Sequence, residues 1–173
     1  MRLIDYFPLS FFRWCDASAL GEWVRSGYPS KFGIIESIHL MVLTVLIGSI
    51  IAADLQVLGF GTRRPTAKVV RELAPWTWTA LGLMIVTGFF LFMSEALRAG
   101  RSGAFFLKIL LLLCGIAIQA LLYRNAVKSA AERTPVVHKL VASLSLLCWL
   151  GVVFSGRAIA FGQLLPFLQR GGR

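Results

Sequence analysis

Residues 33–58 read GIIESIHLMVLTVLIGSIIAADLQVL, twenty-six residues with only three ionisable side chains, Glu36, His39 and Asp54. Coiled as a helix, such a run is about 39 Å long, more than the roughly 30 Å of a bilayer's hydrocarbon core. Three further apolar runs pass the same length test, at 75–93, 104–123 and 136–165. Polar, basic stretches at 61–74, 94–101 and 124–135 separate them. Short connections make successive helices antiparallel. The expected fold is therefore all-α: an integral membrane, up-down four-helix transmembrane bundle. Pro75 and Pro135 read as first-turn prolines, where the missing N–H has no helical partner to lose. Trp76, Trp78 and Tyr123 fall where an interfacial aromatic belt belongs.

The composition agrees. Hydrophobic residues make up 57% of the 173, charged residues only 15%, and mean hydropathy is +0.75. A soluble domain of this size needs more charge to cover its surface. The net charge of +10 is dispersed between the apolar runs. That pattern fits headgroup contact and topology control, with the lipid bilayer as partner and no nucleic acid. Cys15, Cys114 and Cys148 form no CxxC pair or metal-ligand spacing, and are expected to behave as small hydrophobes without a disulfide. No removable signal peptide is expected, because the first thirty residues hold no apolar core followed by a small-residue cleavage site.

Residues 1–32 differ from the rest. Tyr6, Phe7, Phe11, Phe12, Trp14 and Trp23 interleave with Arg2, Arg13, Asp16, Glu22 and Arg25. Such a segment is too polar to span and suits an amphipathic helix lying in the interface. Asp16 is placed to cap it and Gly27 to end it before Pro29. The chain thus divides into an interfacial segment, 1–32, and a transmembrane domain, 33–173. Arg63, Arg64, Lys68, Arg71, Arg124, Lys128, Arg133 and Lys139 gather densely on one side. By the positive-inside rule that side is cytoplasmic, leaving both termini periplasmic.

Ionisable groups within a span cost roughly 2.5–3.5 kcal/mol each and need a reason. At 100° per residue Glu36 and Asp54 share one helix face, with His39 about 60° away. They stand roughly 27 Å apart along the axis and so mark opposite interfaces. Counting levels along an up-down path puts Glu36 and His39 near Glu95, Lys108 and Arg157, and Asp54 near the basic loops, Asn125, His138 and Lys139. The expected ion pairs are Glu36 with Arg157 or Lys108, and Asp54 with Arg63, Arg64 or Lys139. His39 and His138, the two histidines, differ in level by roughly 25 Å. They cannot ligate one haem within a subunit. A haem at His39 needs Met93, a second copy of the chain, a partner protein or no second ligand at all. His138 reads as an ordinary interfacial histidine. Gly151, Ser155 and Gly156 form a small face that suits close packing or a flat ligand. No nucleotide loop, catalytic triad or zinc signature is present.

Several short blocks carry a resemblance: Ser26–Gly27–Tyr28–Pro29, Glu36 with Ser37–Ile38–His39–Leu40, Gly48, Asp54–Leu55, and Leu58–Gly59. Leu73–Ala74–Pro75–Trp76–Thr77–Trp78, Phe106–Leu107–Lys108 and Gly156–Arg157–Ala158–Ile159–Ala160–Phe161 continue it. Over nearly the whole chain, the pattern resembles an uncharacterised family of bacterial four-helix inner-membrane proteins. That resemblance implies the bundle fold and a bacterial inner-membrane location, brings no activity, and points to Glu36, His39, Asp54, Lys108 and Arg157. A looser likeness links the first helix to copper-resistance D and cytochrome b561 type membrane proteins. Cytochromes b561 carry paired histidines at each haem level, which this chain lacks.

Three readings follow. One is a non-catalytic membrane subunit that anchors or organises a larger assembly, with other membrane subunits or a homo-oligomer as partners. A second is a haem- or quinone-associated electron-transfer component, its candidate haem b or quinone held by His39 with Arg157, Lys108 and Glu36. The third is a transporter of small solutes or ions along the polar stripe.

Overall fold

The computed structural model describes residues 9–27, 30–128 and 136–161. Among them every regular element is helical: α1 (Leu9–Asp16), α2 (Ala19–Ser26), α3 (Ser30–Leu58), α4 (Thr66–Ser94), α5 (Ala96–Gly100), α6 (Gly103–Lys128) and α7 (Val136–Phe161). Four of these, α3, α4, α6 and α7, are long and apolar enough to cross a membrane. The protein is a multi-pass membrane protein with the expected all-α, four-helix bundle. α3 packs on α4 and α7, and α6 packs on the same two, so the spans form a ring with antiparallel neighbours. Large apolar side chains such as Met41 and Phe154, each 71% exposed, point outward, where lipid is their solvent.

Two layers of buried side chains fill the ring. Leu46, Ile50, Ala80, Leu81, Trp149 and Val152 form one. Ala53, Val57, Val70, Leu122, Tyr123 and Ala142 form the other, toward the turn between α3 and α4. Glycines bring the helices close where bulky neighbours need room. A Cβ on Gly115 would lie 3.1 Å from the Trp149 indole, and one on Gly151 would meet Leu111 at 2.8 Å. The small face of α7 is thus a packing face against α6.

α4 starts at Thr66, nine residues before the expected first turn, and runs straight through Pro75. The carbonyl that Pro75 leaves without an N–H partner belongs to Arg71, an exposed residue open to water or headgroups. The connection from α3 is consequently short. Gly59 ends α3 at φ +94°, with the Phe60 N–H donating to the Leu55 carbonyl at 3.0 Å. The Gln56 side chain then braces the turn, donating to the Thr62 and Arg64 carbonyls at 3.0 and 2.9 Å and accepting from the Thr62 N–H at 2.8 Å. The last part of the expected fourth span, 162–165, lies outside the described residues.

The N-terminal segment is two helices instead of one. Asp16 ends α1, and Ser18 caps α2 by accepting from the Gly21 N–H at 3.1 Å. Gly27 closes α2, as expected. The pair covers one end of the bundle: Phe12, Cys15 and Val24 are buried, and Arg25 donates to the Ser94 carbonyl at 3.0 Å. Gly21 permits the contact, because a Cβ there would come within 2.5 Å of the Met93 carbonyl oxygen. The Phe12 ring meets Phe92 and Phe106 edge-on.

Candidate functional site

Below this aromatic cover lies a cavity of about 300 Å³ lined by all four spans. Its wall is apolar, including Met84 and Phe89 of α4 and Trp149 and Val152 of α7, with His39 and Lys108 as its two ionisable side chains. Ile85, Phe89 and Ile109 line it and are also exposed on the outer surface. The cavity therefore opens sideways toward lipid between α4 and α6.

His39 is held in one orientation. Its Nδ1 lies 2.7 Å from Thr87 Oγ1, and the Thr87 hydroxyl donates to the Leu83 carbonyl at 2.8 Å. With that proton directed at Leu83, the arrangement suits the tautomer in which His39 Nδ1–H donates to the hydroxyl and Nε2 is presented as an acceptor lone pair. Gly88 makes room for the ring, since a Cβ there would stand 3.3 Å from His39 Cε1. Lys108 lies along Gly156 of α7, its Nζ 3.6 Å from the position of a Cβ there, and lines the same cavity as the imidazole. The cavity thus presents one acceptor and one cationic donor against an apolar wall.

Of the residues singled out in the sequence, the structure brings His39 and Lys108 together. Glu36 and Arg157 are exposed and do not line the cavity. Met93 turns away to pack with Cys15 and Ala96. The two histidines stand at opposite ends of the bundle, for Lys139, next to His138, reaches Gly59 at the far end of α3. Asp54 and Arg64 do not pair. Arg64 reaches Glu72 at 2.6 Å, while Asp54 is turned into the bundle at 1% exposure. The early start of α4 brings Glu72 within reach of Arg64 and closes the ring over Asp54.

Around Asp54 a polar layer runs through all four spans. Tyr123 donates to Thr77 Oγ1 at 2.6 Å, Thr77 to Ser49 Oγ at 2.9 Å, and Ser49 to the Leu46 carbonyl at 2.9 Å. Ser145 donates to Gln119 Oε1 at 2.9 Å. Tyr123 is therefore a buried network member and not a belt residue. Thr87, Gln119 and Ser145 went unnoticed in the sequence because they are uncharged; ranking every polar residue by its level in the helices would have found them.

A family model described as a family of unknown function, DUF6644, matches residues 11–162. The chain belongs to that family. The match takes in all four spans of this DUF6644 protein, both the cavity and the polar layer, and most of the N-terminal cover. No curated protein and no solved structure matches it.

Proposed function

We propose that this DUF6644 protein is a bacterial inner-membrane subunit that binds a lipophilic ring compound of the quinone class in the His39–Lys108 cavity. The observation that carries the reading is the donor set: a single acceptor nitrogen and a single ammonium donor in an otherwise apolar cavity open to lipid. A quinone oxygen accepts from Lys108 Nζ, and a quinol O–H donates to His39 Nε2. At about 300 Å³ the cavity is at the small end for ligand sites and suits a ring, with an isoprenoid tail leaving past Ile85 and Ile109 into the bilayer. A b-type haem finds one imidazole here, with the Met84 thioether in the same wall as a candidate second ligand, but a cavity of about 300 Å³ is small for a porphyrin. The positive-inside rule puts the turn between α3 and α4 in the cytoplasm and the α1–α2 cover on the periplasmic side.

The test is chemical identification of what copurifies. Protein from quinone-replete, haem-replete cells is extracted with solvent, and its visible spectrum is recorded oxidised and reduced. Near-stoichiometric quinone that falls away in Lys108→Met is the expected result. A haem α-band lost in His39→Ala overturns the quinone reading in favour of haem. Neither chromophore leaves an anchoring subunit as the account of this chain.

A further inference from the structure

Among the described residues Asp54 is the one aspartate inside a span, and its burial is unusual. Both carboxylate oxygens are shut from solvent and lack a well-formed hydrogen bond, as does Gln119 Nε2 beside them; Ser145 and Gln119 reach the carboxylate only as loosely placed donors. Ser145 and Gln119 flank the carboxylate from α7 and α6. Ser145 spends its proton on Gln119 Oε1 instead of on Asp54. A lone carboxylate in such a place is not stable as an isolated ion, since removing a charge from water without a partner costs several kcal/mol or more. Something positive must share the site.

We infer that Asp54, Gln119 and Ser145 form an intramembrane site for a single monovalent cation, either a proton or Na⁺. The donors are hard oxygens: two from the carboxylate and the Ser145 hydroxyl, with Gln119 Oε1 behind it accepting from Ser145. The other groups at this level leave the charge to that cation. α6 presents Tyr123, whose hydroxyl is engaged with Thr77. α4 presents Thr77, with Arg71 and Glu72 facing outward. From α7, Lys139 extends past the end of α3 to Gly59, beyond the site. Asp54 lies four residues before the end of α3, about 6 Å along the axis, directly beneath the Gln56-braced turn. The site is thus about one helical turn from the end of α3. This inference is independent of the quinone reading, for it concerns other residues at the other end of the bundle.

Infrared difference spectroscopy on the full chain in lipid nanodiscs tests it. The protein carries aspartate labelled with ¹³C at its side-chain carboxyl and is held at neutral pH with choline chloride as the sole salt. Asp5 and Asp16 are the other aspartates. Asp54→Asn identifies the Asp54 signal; should that variant fail to accumulate, an Asp5→Asn/Asp16→Asn chain leaves Asp54 as the only label. A label-shifted protonated-carboxyl band assigns a proton. Loss of that band on adding NaCl, with a matching rise in the carboxylate band, assigns a site that Na⁺ shares. An Asp54 signal that is carboxylate throughout and indifferent to NaCl overturns the inference.

Discussion

His39 on α3 and Thr87 on α4 meet with Nδ1 and Oγ1 2.7 Å apart, and this contact sets which ring nitrogen faces the cavity. Thr87→Val keeps the side-chain shape and removes the acceptor. The ring is then free to rotate or change tautomer. Affinity for a quinone head is expected to fall about five- to tenfold, the worth of roughly 1–1.4 kcal/mol of lost orientation, with the melting temperature little changed. Binding titrations beside thermal unfolding of the same nanodisc preparations check this.

Gly88 and Gly82 form a matched pair on α4. A methyl at Gly88 crowds His39, whereas one at Gly82 meets nothing within 4 Å. Gly88→Ala is expected to weaken ligand binding severalfold by pushing the imidazole toward the cavity. Gly82→Ala is expected to leave binding unchanged and to raise helix stability by about 0.5–1 kcal/mol. Equal effects from the two would remove Gly88 from the site.

Thr77 is the hub of the polar layer, accepting from Tyr123 and donating to Ser49. Thr77→Val strands both partners at the centre of the ring. The expected loss is about 1–2 kcal/mol, in keeping with hydrogen bonds between helices in lipid. Unfolding in mixed micelles reads it, and Tyr123→Phe is expected to cost no more than Thr77→Val, because it removes one of the same bonds.

The N-terminal cover has a built-in reporter. Cys15 is 2% exposed, and burial pushes its thiol above the ordinary range, so it stays protonated at neutral pH. A folded-state value raised in this way stabilises the cover below the thiol's ordinary range, and that contribution is lost as pH rises through the raised value. Alkylation of Cys15 at neutral pH is expected to be slow in the native chain. Gly21→Ala drives a methyl into the Met93 carbonyl and costs about 1–3 kcal/mol of docking. Cys15 then reacts several times faster, as mass spectrometry of the labelled protein would show.

The sequence carried the spans well because the signal is physical and long: a run of about twenty apolar residues has few other uses. It misled where a local rule met a tertiary one. Pro75 reads as a helix start, yet α4 continues through it, since its orphaned carbonyl lies at the wet edge of the membrane. The periodicity that put Glu36 and Asp54 on one face assumed a straight helix and the same neighbours along its length. In the bundle α3 has α4 and α7 closed around Asp54, while Glu36 lies beyond the ring's packed layers and stays exposed. His39 and Lys108 were legible as ionisable groups at one level. Their partners Thr87, Gly88 and Gly156 were not, because a hydroxyl or a missing side chain acquires meaning only from what packs against it.

On the proposed function, the His39–Lys108 cavity takes a quinone-class ring. The most direct measurement is equilibrium binding of a short-tailed quinone analogue to nanodisc-embedded protein, comparing the native chain with His39→Leu and Lys108→Met. The expected result is saturable binding at one site per chain, weakened tenfold or more in each variant while both remain folded. Binding that rises linearly with lipid, and is the same in all three proteins, would contradict it.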